Sequence, residues 1–205
     1  WGLPLVRLDP GALYAKYMGE TEQNLRKVIA SAVRFAPMVL WIDEIEKAFA
    51  AGGDGDGGTS QRVLGTFLSW LQERQGDVFV VATANDVQRL PPELLRKGRF
   101  DETFFVDLPD EAARAVIFGI HLRKRKQAPD RFDLPLLARE SDGYSGSELE
   151  QVVVSALYTA YAASTPLTNG LLLEELRQTP PIVSTAREKI ALLRTWAAGR
   201  TVPAD

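Results

Sequence analysis

Met38-Val-Leu-Trp-Ile-Asp-Glu44 is the stretch whose reading decides the fold. Four apolar residues, Val39 to Ile42, run without a polar break and stop at two adjacent carboxylates, Asp43 and Glu44. An uninterrupted apolar run of this length fits a strand buried on both faces, as in parallel sheets. In open α/β sheets ligands sit beyond the carboxyl ends of the strands, so the pair is a candidate metal holder and base. Taken alone, the run is equally a core strand whose acidic end faces water.

The 205 residues can hold one large domain or two small ones, and 45% hydrophobic with 25% charged residues is ordinary for a folded protein. A formal charge of -3 argues against a general nucleic-acid binder or a membrane-surface protein. There is no cysteine, hence no disulfide and no thiolate metal site, which fits a reducing compartment. The single histidine, His121, rules out His-cluster metal sites and leaves little scope for a Ser-His-Asp triad. No apolar run approaches a membrane span and no basic-then-apolar leader opens the chain. The first residue is Trp1, not Met, which is expected of a fragment or a trimmed form.

Upstream of the deciding stretch, Leu3 to Leu8 reads as a short strand punctuated by Asp9-Pro-Gly11. Leu13 to Tyr17 can form one helical turn before the loop Lys16 to Glu20. From Thr21, the spacing of Leu25, Val28, Ile29, Ala32, Val33 and Ala36 predicts a helix that Pro37 stops. Downstream, Glu44 to Ala51 reads as a short helix, Gly52 to Gly58 as a mobile loop, and Thr59 onward as a helix apolar at Val63, Leu64, Phe67, Leu68 and Leu71. Asp77 to Ala84 is a second buried strand and Thr103 to Val106 another short one. That order predicts a parallel sheet with helices on both faces over residues 1–108.

Beyond Leu108-Pro109 the strands cease. Asp110 caps a predicted helix reaching about Lys126, and Phe132 to Glu140 is a short helix. Ser145-Gly-Ser-Glu148 fits a capping box for a helix ending near Ala163, Leu171 to Gln178 follows, and Thr185-Ala-Arg-Glu188 caps a last helix reaching Trp196. Residues 109–205 are therefore expected to be a small all-helical domain, hinged at Leu108 to Asp110.

Several side chains fit phosphate chemistry. A carboxylate at a strand end can hold Mg²⁺ through water, and a neighbouring glutamate can polarise an attacking water. Asn85 ends the adjacent strand and can reach that water, although such an Asn is often only a turn residue. Arg96 and Arg99 flank a glycine bend, where guanidinium groups either stabilise a transferring phosphoryl or are simply solvated. Tyr17 and Met18 place an aromatic and a flexible apolar residue in a polar loop, as a partner contact or as internal packing. Asp54-Gly-Asp-Gly begins like a calcium loop, but its twelfth position is Gly65, which rejects it. The basic run Arg123 to Lys126 suits a helix C-terminus better than nucleic acid.

Together these residues resemble the AAA clade of ring-forming ATPases. The matches run in family order: Lys16-Tyr-Met-Gly-Glu20 ahead of Glu22-x-x-Leu-Arg26, Leu40-Trp-Ile-Asp-Glu44, Ala82-Thr-Ala-Asn85, Leu95-Arg-Lys-Gly-Arg-Phe-Asp101 and Gly143-Tyr-Ser-Gly-Ser147. Ile45 to Phe49, Gly65 to Trp70 and the C-terminal helices look most like a bacterial and plastid branch first recognised as a plastid open reading frame. The resemblance implies a P-loop-NTPase-like α/β domain followed by a helical AAA lid domain. It implies ATP and Mg²⁺ as cofactors, with Asp43 holding Mg²⁺ through water and Glu44 activating the attacking water. Asn85 would sense the γ-phosphate, and Arg96 and Arg99 would be fingers reaching the next subunit. Ile120 and His121 would cradle the adenine, and Gly146 and Ser147 would lie beside the phosphates and sugar. Tyr17 and Met18 would grip an unfolded polypeptide in the pore of a homo-oligomer, expected to be a hexamer, in the bacterial cytosol or plastid stroma.

One departure is large. No Gly-x-x-x-x-Gly-Lys-Ser/Thr occurs in the chain, so the phosphate cradle is absent. In the family that loop lies upstream of the strand with which this chain begins, and its strand lies between those at Asp77 to Ala84 and Thr103 to Val106. The expectation is a C-terminal part of a longer protein, with weak or no ATP binding by itself and unpaired sheet edges. A nucleotide-dependent assembly switch and an inactive structural piece are the competing readings. A DNA-acting relative is disfavoured, because no basic recognition helix ends the chain.

Overall fold

The computed structural model describes residues 1–10, 20–49, 59–73, 76–96 and 98–204. They form two compact units, Trp1–Glu102 and Thr103–Asp205. Tyr17, Met18 and the glycine-rich loop at residues 52–58 lie outside the described residues.

In the first unit, strands β1 (Leu5–Leu8), β2 (Met38–Ile42) and β3 (Val78–Ala82) make a parallel sheet in the order β1-β2-β3. The deciding stretch is its central strand. Helix α1 (Glu20–Arg34) connects β1 to β2, while α2 (Ile45–Phe49) and α3 (Thr59–Glu73) connect β2 to β3. Strand residues alternate between faces, and Met38, Leu40 and Ile42 enter one core with Leu25 and Ala32 of α1 and Val63, Phe67, Leu68 and Leu71 of α3. Each such buried Leu, Ile or Phe contributes about 1.5–3 kcal/mol by leaving water. Two of the six apolar positions expected of the first helix, Leu25 and Ala32, are fully buried, and Val28 and Ile29 pack beside them.

The register places Leu5, Val39 and Phe79 side by side, and Arg7, Trp41 and Val81 beside them, on the opposite face. There Leu5 is 64% exposed, Phe79 52% and Val81 39%, with the edge of the Trp1 ring against Phe79. The expected helical cover is therefore observed on one face of the sheet, among the described residues.

The Thr103 to Val106 segment does not extend this sheet. Its strand β4 (Phe104–Phe105) pairs in parallel with β5 (Val202–Pro203) inside the second unit. Val202 N–H donates to the Thr103 carbonyl at 2.9 Å and Ala204 N–H to the Phe105 carbonyl at 3.1 Å. These bonds satisfy β4 backbone groups locally, so the second unit is helical apart from one short parallel pair.

Its helices are α4 (Glu111–Lys124), α5 (Leu134–Glu140), α6 (Gly146–Ala162), α7 (Asn169–Gln178) and α8 (Ile182–Ala197). Asp110 caps α4 by accepting from Ala113 N–H at 2.7 Å. The Ser145–Glu148 capping box is reciprocal, with Glu148 Oε2 accepting from Ser145 N–H at 2.7 Å. The cap expected at Thr185 is displaced: α8 begins at Ile182, Ala186 interrupts its helical geometry, and the Thr185 hydroxyl bonds back to the Ile182 carbonyl. Phe118 and Leu122, Leu137, Leu149, Val152 and Val153, and Leu172 are fully buried in one core. The Tyr144 hydroxyl, in the loop before α6, reaches the carbonyls of Leu176 and Thr179 at the end of α7. Among the described residues no helix is long and apolar enough to cross a membrane.

Candidate nucleotide site

The parallel register sets the ends of β2 and β3 side by side, with Ile42 opposite Ala82. The next residues, Asp43 and Thr83, therefore emerge together. Thr83 Oγ1 donates to Asp43 Oδ1 at 2.7 Å and accepts from Glu44 N–H at 3.0 Å. Ile45 N–H donates to the Thr83 carbonyl at 2.8 Å, so the first turn of α2 is laced to the end of β3. Held this way, Glu44 adopts φ 52°, in the left-handed region that a non-glycine residue enters at a cost of about 1–3 kcal/mol. Such outliers cluster at functional sites. The Glu44 carboxylate lies against Asn85, whose Nδ2 donates to Glu44 Oε1 at 3.2 Å.

Three of the expected catalytic residues, Asp43, Glu44 and Asn85, are thus brought together, and four further side chains join them. Thr83 is the hub of the two strand ends. Arg7 of β1 donates to Asp43 Oδ2 at 2.8 Å with its guanidinium 4.9 Å from the Trp41 ring centroid. Lys47, one turn into α2, lies 2.5 Å from Glu44 Oε2. Glu46 is buried, and its Oε1 accepts from Asn85 backbone N–H at 3.1 Å. The sequence signal for Thr83 is its place two residues before Asn85 in Ala82-Thr-Ala-Asn85; for Arg7 and Glu46 the pairing becomes visible only with the register.

A magnesium ion fits the donor set at Asp43. A guanidinium already places positive charge on its carboxylate, the Asp43 carboxylate and the Thr83 hydroxyl offer hard oxygens, and Mg²⁺ takes one or two carboxylates plus its own waters. Among the described residues no group of three or more His, Cys, Asp or Glu forms a closed metal cage.

The Lys47 ammonium is the main influence on Glu44. It holds the carboxyl below its ordinary value of 4.5; partial desolvation opposes it, and the Asn85 amide adds to the lowering. A depressed carboxyl is stabilised above its unfolded value and loses that stabilisation as pH falls through the folded one. Substituting Lys47→Met is therefore expected to move the Glu44 titration upward, toward 4.5. A carbon-detected NMR titration of the Glu44 carboxyl reads this directly, and an unmoved midpoint would exclude Lys47 as the cause.

Arg96 and Arg99 follow the 3-10 turn Pro92–Leu95, and Gly98 bends between them at φ 89°. Arg96 is exposed, whereas Arg99 is half-buried and donates to the Glu93 carbonyl.

In the second unit, His121 of α4 and Gly146 and Ser147 of the first turn of α6 lie on facing helices. His121 Nδ1 is 3.4 Å from Glu150 Oε1, and Arg125 binds the same Glu150 oxygen at 2.8 Å. A Cβ built on Gly146 would meet Ile117 Cδ1 at 3.8 Å. Ile117 and His121, four residues apart, share the helix face toward Gly146 and Glu150. Ile120 is 49% exposed and lies off that face, and Ile117 is the apolar neighbour of Gly146.

With this geometry in view, the comparisons with known proteins are specific. Residues 1–108 match the family described as ATPase family associated with various cellular activities (AAA). The chain is 43% identical over 200 residues to the AAA domain-containing protein ycf46 of Guillardia theta, covering 97% of this chain and 40% of that protein. It is 38% identical to a cell division cycle protein 48 homolog of Archaeoglobus fulgidus, over 68% of this chain and 19% of that protein. It is also 38% identical to a proteasome-activating nucleotidase of Aeropyrum pernix, over 76% of this chain and 39% of that protein. This chain belongs to the AAA family of ATPases, and within it is similar to the plastid open-reading-frame branch. It spans about 40% of the length of the ycf46 relatives it matches.

Proposed function

We propose that this chain supplies the water-activating and phosphate-sensing half of a Mg²⁺-dependent AAA ATPase that works as a ring, a hexamer by family resemblance, on a protein or peptide substrate. The observation that supports it best is the hydrogen-bonded set Asp43, Thr83, Glu44 and Asn85 at the carboxyl ends of β2 and β3. Glu44 is the base: ionised and aligned, it takes the proton of the water that attacks the terminal phosphate. Asn85, a neutral amide fixed against Glu44, orients that water and reports whether the phosphate is present. Thr83 holds Asp43 and the Glu44 backbone in register. Bound at Asp43, Mg²⁺ would neutralise charge on the phosphates, and Arg7 would yield its place there. Arg96 and Arg99 act on the neighbouring subunit's nucleotide, and His121 with Gly146 and Ser147 receives the base and sugar. The proposed setting is the bacterial cytosol or the plastid stroma, without membrane or nucleic-acid partners.

The substrate-threading part of this reading rests on Tyr17 and Met18 and separates a remodelling enzyme from a nucleotide-driven assembly switch. In the natural protein, Tyr17→Ala is expected to leave ATP hydrolysis within about twofold while abolishing unfolding of a fluorescent protein substrate. Substrate work that survives Tyr17→Ala would favour the switch.

A further inference from the structure

Glu46 is the buried acid that the mechanism above does not use. Its residue is 4% exposed, one carboxylate oxygen accepts from Asn85 N–H at 3.1 Å, and the other has no hydrogen-bond partner among the described residues. Removing a carboxylate from water is costly unless both oxygens are satisfied. Stability alone would favour an apolar side chain here, because α2 already grips β3 through the Ile45 to Thr83 backbone bond. What the acid adds is a second grip, two residues further along, on the residue whose side chain contacts the base.

We propose that Glu46 is a positioning residue for ATP hydrolysis: by accepting the Asn85 backbone N–H, it fixes the segment beyond β3 and aims the Asn85 amide at Glu44. This rests on the ATPase reading above. Two residues flanking Ile45 at the start of α2 thereby hold the same asparagine at two points, Glu44 by the side chain at 3.2 Å and Glu46 by the main chain at 3.1 Å. The division of labour is chemical. Glu44, partly exposed, is the carboxylate left to take a proton; Glu46, shielded from solvent, serves as the strut.

The test is a double-mutant cycle with Glu46→Leu and Asn85→Ala in the natural protein. Displacing a positioning group by about 1 Å costs up to ~10²-fold in rate. Glu46→Leu is accordingly expected to lower kcat about tenfold or more while KM for ATP stays within about threefold. Glu46→Gln, which keeps an acceptor oxygen, recovers most of the loss. If Glu46 acts through Asn85, adding Glu46→Leu to Asn85→Ala costs nothing further. Additive losses would overturn the proposal, as would a Glu46→Leu protein with unchanged kcat. An independent arm needs no hydrolysis: in this chain, amide exchange of Asn85 measured by NMR should speed up about tenfold in Glu46→Leu and return in Glu46→Gln. Unchanged exchange in a folded Glu46→Leu chain also sinks the idea. Absence of ATP hydrolysis by the wild-type natural protein would instead overturn the ATPase reading, with the exchange measurement still deciding the Glu46 to Asn85 tie.

Discussion

Glu44→Gln is expected to slow ATP hydrolysis by the natural protein by about 10²- to 10⁴-fold, the range that one positioned acid–base group contributes. Nucleotide affinity should change little. The substitution keeps the length of the side chain and an oxygen able to accept from Asn85 Nδ2, so the local hydrogen bond at 3.2 Å has a replacement. What disappears is the lone pair basic enough to take a proton from water. The ion pair with Lys47 also disappears, but it is exposed, and such pairs add little to stability. Phosphate release measured beside equilibrium binding of a fluorescent ATP analogue separates the two effects. Turnover equal to wild type would remove Glu44 from the role of base.

The second large effect concerns the arginines. Fingers supplied from a neighbour are worth about 10³- to 10⁵-fold in rate, and loss of Arg96 is expected near the lower end of that range. Its exposed position after the Pro92–Leu95 turn leaves the guanidinium able to reach outward. Arg99 spends one arm on the Glu93 carbonyl of its own unit, so Arg99→Ala should combine a smaller catalytic loss with looser packing of the turn. Subunits carrying Arg96→Ala, mixed with Glu44→Gln subunits, should regain activity wherever an intact base faces an intact finger. Steady-state hydrolysis across mixing ratios measures this. No recovery at any ratio would exclude action in trans.

The sequence exposed features that are local. An unbroken apolar run placed β2, helical spacing placed α1 and α3, and the Ser145–Glu148 box placed the start of α6 to the residue, because each depends on neighbours a few positions away. The Asp43-Glu44 pair was visible for the same reason, as charge immediately after an apolar run, and the structure sets it at the end of β2 beside Thr83 and Asn85. The failures are non-local. A two-residue strand such as β4 carries no pattern that names its partner, and its pairing with Val202–Pro203 spans nearly the whole second unit. Arg7 and Glu46 join the site only once the β1-β2-β3 register is known, since each meets a residue more than 35 positions distant. Ile117 is a different case, because its four-residue spacing to His121 is local and the structure sets it beside Gly146.

The left-handed backbone at Glu44 bears on how this protein tolerates change. A glycine or asparagine would occupy that conformation with less strain, so a position open to relaxation for folding is one whose side chain the proposed mechanism uses. Under that mechanism, selection for expression or heat resistance alone, with no demand on turnover, would favour variants at position 44 that fold well and lose the base. Screens for sturdier versions of this domain should hold position 44 fixed.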